Sequence, residues 1–463
     1  MFDKVAGFLQ PVVDAIKIPP PAKEPLTDPQ EIDKQYRYWR LRILYSIVIG
    51  YTVFYFVRKN ISLTIPYMES ELGISKTQIG LVMSLGGLMY GVSKFFNGII
   101  GDQVNPRYFM AFGLFCSAAM NIGYGMSSSI SMLILFWTLN GWFQGIGVAP
   151  CGRSLAHWYT PKERGVKTSI WNSSTSIGAG LIGVLCGTLV GINWRLCLFV
   201  PAAMAIVGAV FIWQRLRDTP QSLGLPSIEE FGREECVATP AAETSEVAEE
   251  SEVSFRRFLM HNVFLNPMMW AVSLANFFLY VVRYAILDWS PTYLQEMRDI
   301  PIAKGGYWVA VAFEGAGILG MLIGGWISDR VFRGRAGRAC FFSMGICALF
   351  ILLFWQLPSP YAQSIWLNSL LAGGIGFFCY SAQMLVVVIA INLGTKRAAA
   401  TAIGLTGLFG YLSTVFSGVG LGWLAQHYGW DKVFPPLVAC ATVSAILFAF
   451  LWNTTDERRS GKA

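Results

Sequence analysis

Two short runs place a guanidinium group where lipid is expected. FYFVRKN (residues 54–60) closes an apolar stretch with Arg58, Lys59 and Asn60, and LYVVRYA repeats the pattern around Arg283. A tyrosine stands three residues before each arginine, Tyr55 and Tyr280, so ring and guanidinium share one helix face. One arginine inside a membrane span is costly, and it is accounted for by snorkelling to an interface or by a structural ion pair. Two at matching places are different. Facing each other they would repel, and a phosphate dianion would satisfy both planar forks with paired N–H bonds. The chemistry these residues suggest is anion recognition.

Other polar side chains stand near them. Tyr51 lies four residues before Tyr55 and extends the same face. Such tyrosines either donate to phosphate oxygens and line a sugar-sized pocket, or pack in the core with a satisfied hydroxyl. Lys94, in LMYGVSKFFNG, comes one turn after Tyr90 and reaches either a cavity or a carboxylate. Lys59 adjoins Arg58 but points about 100° away around a helix, which suits a helix end or a neighbouring span. Asp288 and Glu314 are carboxylates in apolar surroundings, the latter in VAVAFEGAGILG. They are expected either to pair with Arg283, Arg58 or Lys94 when no substrate is bound, and so couple binding to movement, or to form a fixed buried ion pair.

These residues need apolar helices to hold them. Of the 463 residues, 54% are hydrophobic and 14% charged, and the mean hydropathy is +0.49. Apolar runs of 18 or more residues recur, each long enough to cross a hydrocarbon core of about 30 Å. They do not alternate as barrel strands would. The pattern predicts an all-α polytopic membrane protein with twelve transmembrane helices in two six-helix halves, at 41–214 and 266–452. Span 1 is expected near 41–61, and spans 10 and 11 near 363–391 and 399–426. Residues 1–40 form an N-terminal segment, 215–265 a linker with an acidic run at 229–252, and 453–463 a tail. The short loops on one side hold eleven Lys and Arg against five on the other, which places linker and both termini in the cytosol.

The halves repeat internally. Besides the two arginine runs, GIIGDQVNPR matches GGWISDRVFRGR, and Thr168-Ser169-Ile170 matches Thr401-Ala402-Ile403, all at nearly one offset. A six-plus-six parallel repeat is the architecture of major facilitator transporters, with substrate held at mid-membrane. Asp102 and Asp329, in the matching loops, suit latches that hold helix ends in one access state. Glycine-rich runs such as GWFQGIGVAPCG let helices approach and bend.

Several classes drop out. The three histidines are scattered, and the nine cysteines sit mostly in apolar runs without a CxxC, so neither a metal centre nor a disulfide framework is indicated. The net charge of +7 is explained by topology and not by nucleic acid. No nucleophile–base pair or phosphate-cradling loop suggests an enzyme, and no cofactor is expected.

The runs FYFVRKN, YGVSKF, GWFQGIGVAPCGR, RLRDTPQSLGLPSIEE and LYVVRYAILDWSPTYLQE resemble the organophosphate:phosphate antiporters of the major facilitator superfamily, over about residues 33–455. The resemblance implies exchange of a phosphate ester for inorganic phosphate without ATP, using Arg58, Arg283 and Lys94. Span 7 and TGLFGYL, which contains Tyr411, look most like glycerol-3-phosphate transporters. The DKQYRYWR run looks more like hexose-phosphate transporters and a related hexose-phosphate sensor. Two departures border the implied cavity. Thr175 in WNSSTS stands where the family has a histidine, and Tyr380 in FFCYSAQ stands beside an altered YGP. Thr175 can hydrogen-bond a substrate but gains no charge near neutral pH. The expectation is an antiporter of the bacterial inner membrane, acting as a monomer on organophosphate and inorganic phosphate, with glycerol 3-phosphate as the first ester. A hexose 6-phosphate antiporter and a transporter-like sensor are the alternatives.

Overall fold

The computed structural model describes residues 22, 25–101, 104–228, 230–231, 260–304 and 306–452. The N-terminal segment before residue 22, nearly all of the acidic run and the tail from 453 fall outside these residues, and so does Asp102. In chain order the main helices are α1 (Pro29–Phe56), α2 (Ile65–Leu72), α3 (Lys76–Gly101), α4 (Pro106–Met126), α5 (Ile130–Gly145), α6 (Val148–Trp158), α7 (Pro161–Leu189) and α8 (Leu196–Arg215). Then come α9 (Pro267–Met297), α10 (Trp308–Arg330), α11 (Ala336–Trp355), α12 (Ile365–Val415), α13 (Leu421–Tyr428) and α14 (Phe434–Phe450).

Ten helical stretches among the described residues are long and apolar enough to cross a membrane. The α1 and α7 helices, with 28 and 29 residues, supply the two remaining expected spans. Their ends are more polar; α1 begins with charged residues from Glu31 to Arg42. Three helices start the same way. Asp28, Asn105 and Asn266 each precede a proline and accept a backbone N–H of the first turn, from Gln30, Arg107 and Met268. Proline at the first helical position loses no intrahelical bond, and the capping oxygen satisfies an otherwise orphaned donor.

Three boundaries differ from the hydropathy pattern. Span 1 was expected to run to about residue 61, but α1 ends at Phe56 and helix resumes only at Ile65. The fourth span divides into α5 and α6 at the Gly-Ile-Gly of GWFQGIGV. Conversely, α12 is helical through the expected loop between spans 10 and 11, where alanines follow GTKR and no proline interrupts.

The chain forms two compact units whose borders cut across helices. One comprises Met1–Asn60, Val92–Ile182 and Leu198–Ala241, the other Ile61–Gly91, Gly183–Cys197 and Ala242–Ala463. In the first, one face of α1 buries Tyr36, Ile43, Ile47, Tyr51, Phe54 and Tyr55 in a core with residues of α4, α6 and α8. Backbones approach closely where a side chain is missing: a Cβ on Gly178 of α7 would lie 2.6 Å from the Thr52 carbonyl oxygen and 2.7 Å from the Tyr55 Cβ. Small residues matter here because lipid provides no hydrophobic drive between helices, which leaves packing to hold them.

In the second unit α9 is the most enclosed of the membrane helices, and Ser84 of α3 donates to the Thr414 carbonyl of α12 at 3.0 Å. Lys76 bridges Glu69 at 3.1 Å and Glu296 at 3.0 Å. Trp430 Nε1 donates to the same Glu296 at 2.8 Å.

Candidate functional site

Arg283 lies near the middle of α9 and is buried, only 8% exposed. Its guanidinium lies 4.5 Å from the ring centre of Tyr380, 5.5 Å from that of Tyr280 and 5.7 Å from that of Tyr284. The faces of aromatic rings attract a cation, more strongly where water is excluded. One arm of Arg283 donates to the Tyr380 hydroxyl at 2.7 Å, and that hydroxyl donates to Glu314 Oε2 at 2.7 Å. The chain Arg283–Tyr380–Glu314 joins α9, α12 and α10 through polar groups buried among apolar helices. Such groups are tolerated because each finds a partner. Within this chain of three residues, Arg283 Nε and Glu314 Oε1 are buried without a hydrogen-bond partner among the described residues. A buried donor left empty costs more than the net value of an ordinary hydrogen bond, so this edge of the guanidinium is primed for an acceptor.

Further aromatic rings continue from this point. Tyr280 and Tyr284 meet edge to face at 5.7 Å, Tyr280 and Tyr411 at 6.4 Å, and Tyr411 and Tyr90 at 5.0 Å. Of the residues selected from the sequence, Tyr280 and Tyr380 therefore flank the buried Arg283, Glu314 joins through the Tyr380 hydroxyl, and Tyr411 and Tyr90 extend the row of rings from Tyr280. Asp288, one turn beyond Arg283, accepts from the Ser62 hydroxyl at 3.3 Å. Tyr284 was not selected from the sequence, although its position four residues after Tyr280 carried the signal.

The other arginine is placed differently. Arg58 follows the end of α1, is half-buried, and lies 5.2 Å from the ring centre of Tyr55. Tyr51 and Tyr55 are buried, with rings 5.7 Å apart, and Tyr51 meets Trp171 of α7 at 5.1 Å. Thr175, one turn beyond Trp171, is half-buried and donates to the Asn172 carbonyl at 2.8 Å. Lys59 is half-buried and Lys94 is exposed, on the stretch of α3 where Gly145 of α5 comes close. A Cβ on Gly145 would lie 2.8 Å from the Lys94 backbone nitrogen. Asp329 lies on the α10 backbone with its side chain outside the described residues.

The sequence reading missed one more group around the end of α1. Asn121, Asn140 and Gln144 reach its last carbonyls, and Asn60 reaches Asn121. Their signal was available as amides spaced by four in TLNGWFQG.

A helical membrane protein with a buried, tyrosine-caged arginine fits a transporter of anionic solutes. The sequence matches the Major Facilitator Superfamily over residues 47–418. A probable hexose phosphate transport protein of Chlamydia trachomatis is 42% identical over 95% of this chain and 96% of its own. A glycerol-3-phosphate transporter of Bacillus subtilis is 38% identical over 94% of this chain and 97% of its own. The membrane sensor protein UhpC of Escherichia coli is 36% identical over 95% and 98%. The chain belongs to the major facilitator superfamily, within the branch that holds these organophosphate transporters, and is not an enzyme.

Proposed function

We propose that this protein exchanges a phosphate monoester for inorganic phosphate across the bacterial inner membrane, with both termini in the cytosol. It acts as a monomer built from the two six-helix halves, 41–214 and 266–452, joined by the 215–265 linker. The observation that carries the reading is Arg283: a buried guanidinium with an empty Nε, ringed by Tyr280, Tyr284 and Tyr380. A phosphoryl oxygen is the acceptor such a planar fork suits best. Arg58 is its counterpart in the sequence repeat, so both arginines engage the phosphoryl group in the state that switches. Lys94, Tyr51, Tyr55, Tyr90, Thr175, Tyr280, Tyr380 and Tyr411 line the route of the ester. Lys59, Asp288 and Glu314 couple binding to movement, and Asp102 and Asp329 act as latches.

Exchange follows if substrate binds the switching state more tightly than the resting one, because only differential affinity shifts such an equilibrium. We place a hexose phosphate first among the esters and glycerol 3-phosphate second, since the relative with the former name is 42% identical and the latter 38%. This reverses the order taken from TGLFGYL and span 7.

Proteoliposomes loaded with phosphate test the proposal. Labelled phosphate exchange is expected, with hexose 6-phosphate competing better than glycerol 3-phosphate. Undiminished exchange by the Arg58→Lys/Arg283→Lys double variant would sink the site. Tight hexose-phosphate binding with negligible turnover would instead make the protein a sensor.

A further inference from the structure

The end of α1 is held by amide side chains from α4 and α5. In an uninterrupted helix the Arg58 N–H would bond the Phe54 carbonyl, and the Val57 carbonyl would accept from four residues on. Here the Arg58 N–H donates to the Tyr55 carbonyl at 3.2 Å, and the Lys59 N–H donates to that same oxygen at 3.0 Å. The Phe54 and Val57 carbonyls are thereby released inside the protein, where an unmet carbonyl is costly.

Neighbouring helices fill both. Gln144 Nε2 donates to the Phe54 carbonyl at 3.1 Å. Asn140 Nδ2 and Asn121 Nδ2 each donate to the Val57 carbonyl at 2.9 Å. Asn121 is itself held, donating to the Ser117 carbonyl at 3.0 Å and accepting from Asn60 Nδ2 at 2.8 Å. All four amides are buried, Asn60 and Asn121 completely. Each therefore sits where no water replaces it, and three of them meet the Phe54 and Val57 carbonyls, on either side of Tyr55 and Phe56.

We propose that Asn121, Asn140 and Gln144 are positioning residues for phosphate recognition: by capping the Phe54 and Val57 carbonyls they hold the break after Phe56 and so set where Arg58 presents its guanidinium. A regular turn through Val57 and Arg58 would compete with these donors for the Phe54 and Val57 carbonyls and would shift the backbone that carries the Arg58 guanidinium. This inference rests on Arg58 as a phosphate ligand.

Phosphate exchange in proteoliposomes, with KM and maximal rate measured separately, tests it. Gln144→Met and Asn140→Leu each remove a donor at similar volume. Both are expected to raise the phosphate KM about tenfold, the effect of losing a net hydrogen bond, with maximal rate per folded protein within about threefold. The rise in melting temperature that phosphate confers in detergent should shrink in parallel. Asn140→Gln, which keeps an amide donor, should recover most of the wild-type KM. If KM and the phosphate-dependent melting shift stay unchanged in both apolar variants while Arg58→Lys raises KM, the amides serve stability alone and the inference is overturned. If Arg58→Lys itself leaves KM unchanged, the phosphate role of Arg58 falls and takes the inference with it. Should Asn140→Leu fail to fold, Gln144→Met, which leaves both Val57 donors in place, decides the question.

Discussion

Arg283 stands inside an unbroken helix of 31 residues, whereas Arg58 stands just past the last turn of one. The first is buried with hydroxyl and ring contacts; the second is half-buried, beside the Tyr55 ring, at the edge of a break. Their neighbours differ in kind as well. Tyrosines and a carboxylate surround Arg283, while backbone carbonyls held by amides lie beside Arg58. The repeat makes the two arginines equivalent in sequence, and the fold places one inside a helix beside a hydroxyl relay and the other at a helix end capped by amides.

The largest expected effect separates the two arginines. Arg283→Lys should lower exchange about 100-fold and also lower stability by about 2 kcal/mol, since a lysine does not reproduce the planar group that lies over three rings and donates to Tyr380. Arg58→Lys should lower exchange comparably with little loss of stability. Exchange and thermal melting on the same preparations check this, and equal stability losses would erase the distinction.

Tyr380→Phe asks whether Arg283 is held by its hydroxyl relay or only by the rings. Removing the hydroxyl disconnects Arg283 from Glu314 and should weaken phosphate affinity about tenfold, with maximal exchange changed less. An unchanged KM would leave Arg283 held by the rings alone.

The smallest effect concerns the charged cluster at the start of α3, a third kind of cation site. Burial pushes the Glu69 carboxyl above the usual carboxylate range; Lys76 opposes this, and Glu296 adds to it. A raised value means that the arrangement gains stability when Glu69 is protonated. That contribution is complete below the ordinary glutamate value and is lost as the pH rises through the raised one. Glu69→Gln should flatten this part of the melting profile, by no more than about 0.5 kcal/mol for a half-buried group whose shift Lys76 partly cancels. A profile identical to wild type would remove Glu69 as its source.

Much of the site was legible as spacing. The offsets of Tyr51, Tyr55 and Arg58, and of Tyr280 and Arg283, put rings beside guanidinium groups in both regions, because a helix turns the same way wherever it forms. Asx-Pro pairs marked three helix starts for an equally local reason. The end of α1 was not legible. Arg58, Lys59 and Asn60 close its apolar run, but no glycine or proline lies between Phe56 and Ile65 to stop the helix at Phe56. Amides on α4 and α5 offer the freed carbonyls their bonds, and they come from 64 and 83 residues away in the case of Val57. Likewise Tyr380 and Glu314 were each selected alone, and only packing of α10 against α12 joins them across 66 residues.

By itself, then, the sequence determined a polytopic helical transporter with two repeat-related arginines and tyrosines on their faces, since hydropathy and helical period are properties of nearest neighbours. The tertiary structure decided that the arginines are not alike: Arg283 gains a hydroxyl, a carboxylate and three rings, while Arg58 gains a break capped from other helices. The physical reason is that buried polar groups must find partners, and in this chain those partners lie on different helices.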